Sequence, residues 1–274
     1  MVLKGGTAIN LIVFPLPRLS VDIDFDFSFD GKRSQMIEKR DEITAIIKKY
    51  MEANGYALGN ETKTRHALDS FAFHYYNRFG NRDHLKIEIN YMNRTHIFEP
   101  IMRKCSVLFQ DPFEIRTLNQ YELFGTKIKA LIERCTIRDF YDVYHMLKEN
   151  IFHENELHII KKCVIFYMLI GNSTSSSFHE TFNGFSLKIG QYESDKIPQY
   201  LSSTLQREDQ FSTKNAVLQV KGFVSDLMKL SENDERFIRE FEQGNYCPEI
   251  EFDDPDIVHR IQNHPMAVWK TSHR

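Results

Sequence analysis

No two cysteines in this chain stand at Cys-x-x-Cys spacing. Cys105, Cys135, Cys163 and Cys247 are scattered, which excludes a zinc ribbon and a disulfide framework and fits a reducing, cytoplasmic setting. No 18-residue apolar run and no signal-peptide pattern is present, and the greasiest segment, 163–170, is far too short to span a bilayer. The sequence therefore predicts a soluble protein with no membrane partner. Gly-x-Ser-x-Gly, Walker-type and His-Glu-x-x-His patterns are missing, which removes support for nucleophilic hydrolases, P-loop ATPases and zinc peptidases. His145, His259 and His264 share no metal-like spacing and read as surface or packing residues. The formal charge of -3 and the pI near 6.4 argue against a surface that is wholly a nucleic-acid footprint, while leaving room for a local basic patch.

What is present is enough apolar material for a sizeable core: 42% of the 274 residues are hydrophobic and 27% charged, giving one large domain or two modest ones. The chemistry concentrates at the start. Leu3-Lys-Gly-Gly-Thr-Ala-Ile-Asn10 is followed by a short apolar stretch and then by Arg18-Leu-Ser-Val-Asp-Ile-Asp-Phe-Asp-Phe27. In a strand, alternation places Ser20, Asp22, Asp24 and Asp26 on one face and Leu19, Val21, Ile23, Phe25 and Phe27 on the other. A row of carboxylates at that spacing repels itself and asks for a hard, oxygen-liganded cation, magnesium above all. Gly5 and Gly6 permit close backbone approach, and Thr7 is placed to cap a helix over 8–14 whose free N–H groups suit phosphate. A phosphate cradle beside an acidic strand is the arrangement of a metal-dependent nucleotide-handling site.

Downstream, apolar spacing predicts a helix over 34–54, two strands over 62–76 and 84–93, an extended segment over 112–118 and helices over 120–134 and 137–149, the last capped by Thr136 with Asp139 at the capping-box position. Further helices are expected over 154–170, 211–230 and 232–243, with a turn-rich linker at 172–177. Glu88 reads by pattern alone either as part of a charged solvated strand face or as a third carboxylate beside Asp22 and Asp24. Arg138 and Asp142 read either as an i,i+4 surface pair or as part of a pocket. Asp253, Asp254 and Asp256 sit around Pro255 and read as a helix start in preference to a second metal site.

Lys-Gly-Gly-Thr-Ala, an apolar helix and Arg-Leu-Ser-Val-Asp-Ile-Asp-Phe, in that order, resemble the nucleotidyltransferase domain of the abortive-infection AbiE toxin (AbiEii) family, within the DNA polymerase β-like nucleotidyltransferase superfamily. The stretch from Glu122 to Arg134, with Lys127-x-x-Ala-Leu, and Arg138-Asp-Phe-Tyr-Asp142 are similar to that family's second signature, and 248–270 is similar to the tail of its longer members. The resemblance implies an α+β (α/β-like) fold: a polymerase β-type core with a short mixed sheet over 1–105 and a helical C-terminal region over 106–274 that completes the cleft. Its relatives usually carry a helical segment ahead of the glycine loop, so either Met1 is a late start or this domain lacks a covering element.

The implied activity is metal-dependent transfer of a nucleoside monophosphate from an NTP to an acceptor, RNA of tRNA type by analogy, by the toxin of a toxin–antitoxin pair with a cognate antitoxin. Asp22 and Asp24 would hold two Mg2+ ions. Glu88 would bind the metal nearer the acceptor or take the acceptor's proton; Gly5, Gly6, Thr7 and Ser20 would line the nucleotide. Lys127 would neutralise the triphosphate, and Arg138 and Asp142 would close the pocket. A local RNA-binding patch would draw on Arg94, Arg103, Lys104, Lys129 and Arg134. Alternatives are a small-molecule (antibiotic-type) nucleotidyltransferase and a non-catalytic nucleotide-binding regulatory protein.

Overall fold

The structure, a computed structural model, describes residues 1–29, 31, 33–105, 111–171, 176–193, 199–205 and 211–273. Most of the expected linker at 172–177 and the start of the expected C-terminal region, at 106–110, lie outside the described residues. A mixed sheet forms the frame. Its strands are β1 (Val2–Lys4), β2 (Asp22–Asp26), β3 (Ala57–Leu58), β4 (Lys63–Thr64), β5 (Leu68–Tyr76), β6 (Arg82–Asn90), β7 (Ile101–Cys105) and β8 (Phe113–Thr117), in the order β3-β5-β6-β2-β1-β8-β7, with β4 also on β5. The pairs β2–β6 and β1–β8 are parallel, and the other pairs are antiparallel.

The helices are α1 (Gly5–Ala8), which runs into a π-helical turn over Ile9–Val13, then α2 (Arg33–Ala53), α3 (Gln120–Arg134), α4 (Ile137–Lys148), α5 (Leu157–Gly171), α6 (Phe178–Asn183), α7 (Phe185–Gly190), α8 (Gln199–Ser202), α9 (Thr213–Leu227), α10 (Glu232–Glu242), α11 (Pro255–Ile261) and α12 (Pro265–Ser272). The helices α3 and α4 match their expected spans because their ends are signalled locally. Asn119 accepts from Tyr121 N, Cys135 takes the left-handed conformation between the two helices, and Thr136 accepts from Asp139 N. Asp254 likewise caps α11 ahead of Pro255, the helix start read from the sequence.

Two hydrophobic cores lie against the sheet. The smaller packs Met36 and Met51 of α2 onto Phe71, Phe73, Ile87, Ile89 and Phe27. The larger joins Val2, Leu3, Ala8 and Ile9 to the apolar faces of α3, α4, α5, α9 and α10, through residues such as Phe124, Phe140, Phe166, Val220 and Phe237. Helices α3 and α5 cross at Gly125, where a Cβ would come within 2.5 Å of Cys163 Cβ. No helix among the described residues is long and apolar enough to cross a membrane.

Three local expectations are corrected. The first helix begins at Gly5, so Thr7 is inside it and its hydroxyl caps nothing; it donates to the carbonyl of Asp22. The acidic strand starts only at Asp22. Leu19 and Val21 are 52% and 39% exposed, because 18–19 turn away to pair with 204–205 through Leu19 N to Thr204 O at 2.8 Å and an Arg18–Leu205 bridge. Third, β1, β3 and β7 are not foreseen, and the strand expected over 62–76 is two, β4 and β5, paired with each other. Strands of two to five residues offer too little alternation to register as a pattern, and their places are set by the strands they pair with.

One buried group tunes the C-terminal packing. Glu251 is almost fully buried beside Asp234. Burial and that neighbouring carboxylate push its acid up to about 8. The folded chain therefore holds a proton that the unfolded chain gives up at an ordinary glutamate pKa, so this contribution favours folding at low pH and is lost as pH rises towards 8. Thermal melts should show the native chain losing stability from about pH 5 to about pH 9 relative to Glu251→Gln. Parallel curves for the two proteins would refute the assignment.

Candidate active site

The Lys-Gly-Gly-Thr segment leaves the sheet at the end of β1 and turns at once into α1. Gly5 has φ +68°, the left-handed region open to glycine, and a Cβ there would meet Asp24 Oδ2 at 2.5 Å. Gly6 backs onto the opposite wall, where a Cβ would lie 2.9 Å from Arg18 Nη2 and 3.0 Å from Ser20 Oγ. Both glycines are thus required by what presses against them. Thr7 and Ser20 fasten the turn to β2: the Thr7 hydroxyl donates to the Asp22 carbonyl, and Ser20 Oγ donates to the same oxygen at 3.4 Å.

Within β2 the three aspartates meet different surroundings. Asp26 is buried and already neutralised, with Lys4 Nζ at 2.5 Å and His96 Nε2 at 3.4 Å. Asp22 is partly exposed, with Arg138 Nη1 at 3.8 Å. Asp24 has no ion pair within 4 Å among the described residues, and its carboxyl is pushed above its ordinary value by burial and by the charges of Glu88 and Asp22, against the pull of Lys4 and Lys127. Glu88 stands directly opposite Asp24 in the parallel β2–β6 register, and Lys86 stands opposite Asp22. Lys86 and Glu88 are paired at 2.6 Å, and although burial opposes its charge, contact with Glu88 and the fields of Asp22 and Asp24 hold the Lys86 ammonium more firmly protonated than usual.

The structure therefore places Asp22, Asp24 and Glu88 together on one face. Among the described residues no three His, Cys, Asp or Glu side chains form a ready-made metal cage. Two carboxylates two residues apart, one of them unpaired, suit a small hard cation that completes its shell with water and substrate phosphate. The all-oxygen donor set fits magnesium on that mode of binding.

Behind the glycine turn lies a buried ion cluster. Arg18 holds Asp142 bidentately, Nε to Oδ1 at 2.7 Å and Nη2 to Oδ2 at 2.6 Å, with both side chains about 2% exposed or less. Lys127 sits between Asp139 and Asp142 at 3.0 Å from each, and Arg134 forks onto Asp139 at 2.7 and 3.0 Å. Burial works against the charge of both aspartates, but Lys127 with Arg18 on Asp142, and Lys127 with Arg134 on Asp139, outweigh it and hold both carboxyls below their ordinary range. Burial likewise works against the Lys127 charge, and the two carboxylates override it. Three cations on two anions leave the cluster net positive beneath the loop. Asn10 links it to the loop, with Nδ2 donating to Gly6 O at 2.8 Å and to Asp142 Oδ1 at 3.5 Å.

Arg138 and Asp142 do not pair with one another. Their side chains leave α4 in different directions, Arg138 to Asp22 and Asp142 to Arg18 and Lys127. Sequence reading assigned no role to Lys4, Arg18, Lys86 or Asn10. The signal for Lys86 was present, since it shares a strand face with Glu88; for Arg18 and Asn10 it was only their position inside the motif. Of the residues expected in a basic patch, Lys129 and Arg134 are committed to Glu133 and Asp139.

A family model described as nucleotidyl transferase AbiEii toxin, type IV toxin–antitoxin system, matches residues 1–199. Comparison with curated proteins finds no match. Among solved structures the chain is similar to MenT4, a nucleotidyltransferase toxin from Mycobacterium tuberculosis H37Rv, with a TM-score of 0.56 and 13% identity over 97% of this chain and 84% of that one. At that identity the likeness is one of fold.

Asp142→Ala leaves Arg18 and Lys127 buried with half their countercharge. It should lower the unfolding free energy by about 3–5 kcal/mol, read as a shift of the urea midpoint. Arg138→Ala, at a side chain 39% exposed, should change it by less than about 1 kcal/mol. Equal shifts for the two would refute the ranking.

Proposed function

The chain belongs to the AbiEii family of nucleotidyltransferase toxins of type IV toxin–antitoxin systems, and we propose that it transfers a nucleoside monophosphate from an NTP to RNA, with Mg2+ at Asp22 and Asp24. The observation that carries this reading is the unpaired, partly buried Asp24, flanked by Asp22 in its own strand and Glu88 in register, and pressed against the Gly5 turn. A cognate antitoxin and an NTP substrate follow from the family. The catalytic core is assigned to 1–105, with 106–274 as the helical region that completes the cleft.

Bound magnesium would supply charge neutralisation at the α-phosphate and at the leaving oxygen. Gly5 is the partly open end of the turn and would meet the β- and γ-phosphates, with Gly6 and Thr7 buried behind it and Ser20 at the edge. Lys127, held by Asp139 and Asp142 in a net positive cluster, sets a fixed field that favours charge developing on the leaving pyrophosphate. Glu88 accepts the proton of the acceptor hydroxyl as its oxygen bonds to the α-phosphorus and the bond to the bridging oxygen breaks. Before substrate arrives, Lys86 serves as the counter-ion of the acidic face. Arg138 covers the outer side of Asp22.

Incubation with magnesium and each NTP, labelled in turn at the α- or γ-phosphate, with total RNA as acceptor, tests this. Label from the α-position should enter RNA and fall by at least about 10²-fold in Asp22→Ala/Asp24→Ala. Label entering a small molecule in place of RNA would overturn the acceptor assignment, and no transfer to any acceptor would overturn the catalytic one.

A further inference from the structure

At the far end of β2 from the glycine turn, the sheet opens into a second concave site, separate from the acidic pocket. It is a cleft of about 660 Å³, within the range of small-ligand pockets. Its walls come from the segment after β2 (Ser28, Phe29), the loop between β6 and β7 (Arg94 to Pro100), Arg116 of β8, and the C-terminal helix α11 with the turn after it.

Three guanidiniums face this space. Arg260 is engaged, with Nε on Glu99 Oε1 at 3.2 Å and Nη1 on the Ile97 carbonyl at 2.9 Å. Arg94 contacts only a backbone oxygen, that of Gly31 at 3.3 Å. Among the described residues neither Arg94 nor Arg116 has a carboxylate within 4 Å, although Asp256 and Glu99 share the cleft. Gln262 and Asn263 add amide groups, and Phe29 and Phe98 add partly exposed rings. Unpaired arginine forks are the donors suited to phosphate oxygens; side-chain amides read base edges, and rings give stacking surfaces.

The cleft also backs onto the strand that carries the acidic face. Its inner wall, His96, lies 3.4 Å from Asp26 on the same strand as Asp22 and Asp24. Ser28 at its rim is four residues from Asp24, or about 13 Å of strand. That is a distance of a few nucleotides along a single strand.

We propose that this cleft is an acceptor subsite that binds the phosphate backbone and a base of single-stranded RNA a few nucleotides from the reacting end, with Arg94 and Arg116 as the phosphate ligands. This rests on the reading that RNA is the acceptor. It keeps Arg94 of the patch expected from sequence, sets aside Lys129 and Arg134, which are neutralised, and joins Arg94 to Arg116 in a cleft built largely by the loop after β6 and the C-terminal helices.

The test measures binding of total tRNA and of a single-stranded RNA oligomer to the full chain over a range of salt, beside binding of a fluorescent NTP and of poly-glutamate. Arg94→Gln/Arg116→Gln should weaken RNA binding at least about tenfold and lower the salt slope by about two, with NTP binding unchanged. Unchanged NTP binding also shows that the variant folds, and photocrosslinking of bromouridine RNA to native protein should label Phe98 or its neighbours. RNA binding that is equal in the two proteins overturns the subsite and leaves RNA as acceptor. Native protein that binds no RNA while transferring nucleotide elsewhere overturns both readings. Loss of poly-glutamate binding alone in the variant would make the cleft a protein-docking site and overturn the proposal.

Discussion

The grip of Arg18 on Asp142 is the interaction on which the site's shape depends. Arg18 belongs to the segment that leads into the acidic strand, and Asp142 to a helix far along the chain, yet both are almost wholly buried and meet in a two-point fork. A surface pair at this separation would contribute little. Here the desolvation of Arg18 is offset by Asp142, which Lys127 also holds, so the approach to β2 is fixed relative to α3 and α4. Asn10 extends the same constraint to Gly6. The glycine turn, the acidic strand and the Lys127 helix are thereby held as one body by charges that do not themselves reach the carboxylate face.

That arrangement separates two kinds of positive charge. Lys127, Arg18 and Arg134 are spent on Asp139 and Asp142 and act outward only as a residual field. Lys86 is different: it lies on the acidic face itself, opposite Asp22 and bonded to Glu88. An ammonium beside three carboxylates keeps that face from being a block of like charge.

Much of this was legible in the sequence where a local signal existed. The helices α3 and α4 were readable to within a residue from their apolar spacing, with Thr136 and Asp139 marking the start of α4, and the long β5–β6 hairpin was readable from alternation. Glu88 was legible as a candidate, but its position opposite Asp24 depends on the parallel register between β2 and β6, which pattern does not encode. Thr7 was misread as a cap because hydroxyl residues at helix starts commonly are caps. Its hydroxyl goes instead to a carbonyl two segments away, a tertiary choice with no local trace. Arg18–Asp142 was invisible for the same reason, since an i,i+4 partner for Asp142 was available on its own helix and was not used.

The same alternation that put Asp22, Asp24 and Asp26 on one face did not give them one chemistry. Along β2 the acidic groups are graded by what lies beyond them: Asp26 is buried against Lys4 and His96, Asp22 is near Arg138, and Asp24 has Glu88 and Asp22 beside it and feels Lys4 only at a distance, without an ion pair among the described residues. Spacing created the row; countercharges from β1, the loop before β7 and α4 divided it. An aspartate that is pushed up by burial and by neighbouring carboxylates, with no ion pair, is a costly group for a fold to keep. The residues that silence Asp26 are as much a part of the site as those that leave Asp24 without an ion pair, because they confine the uncompensated carboxylates to one end of the strand, where the Gly5 turn stands.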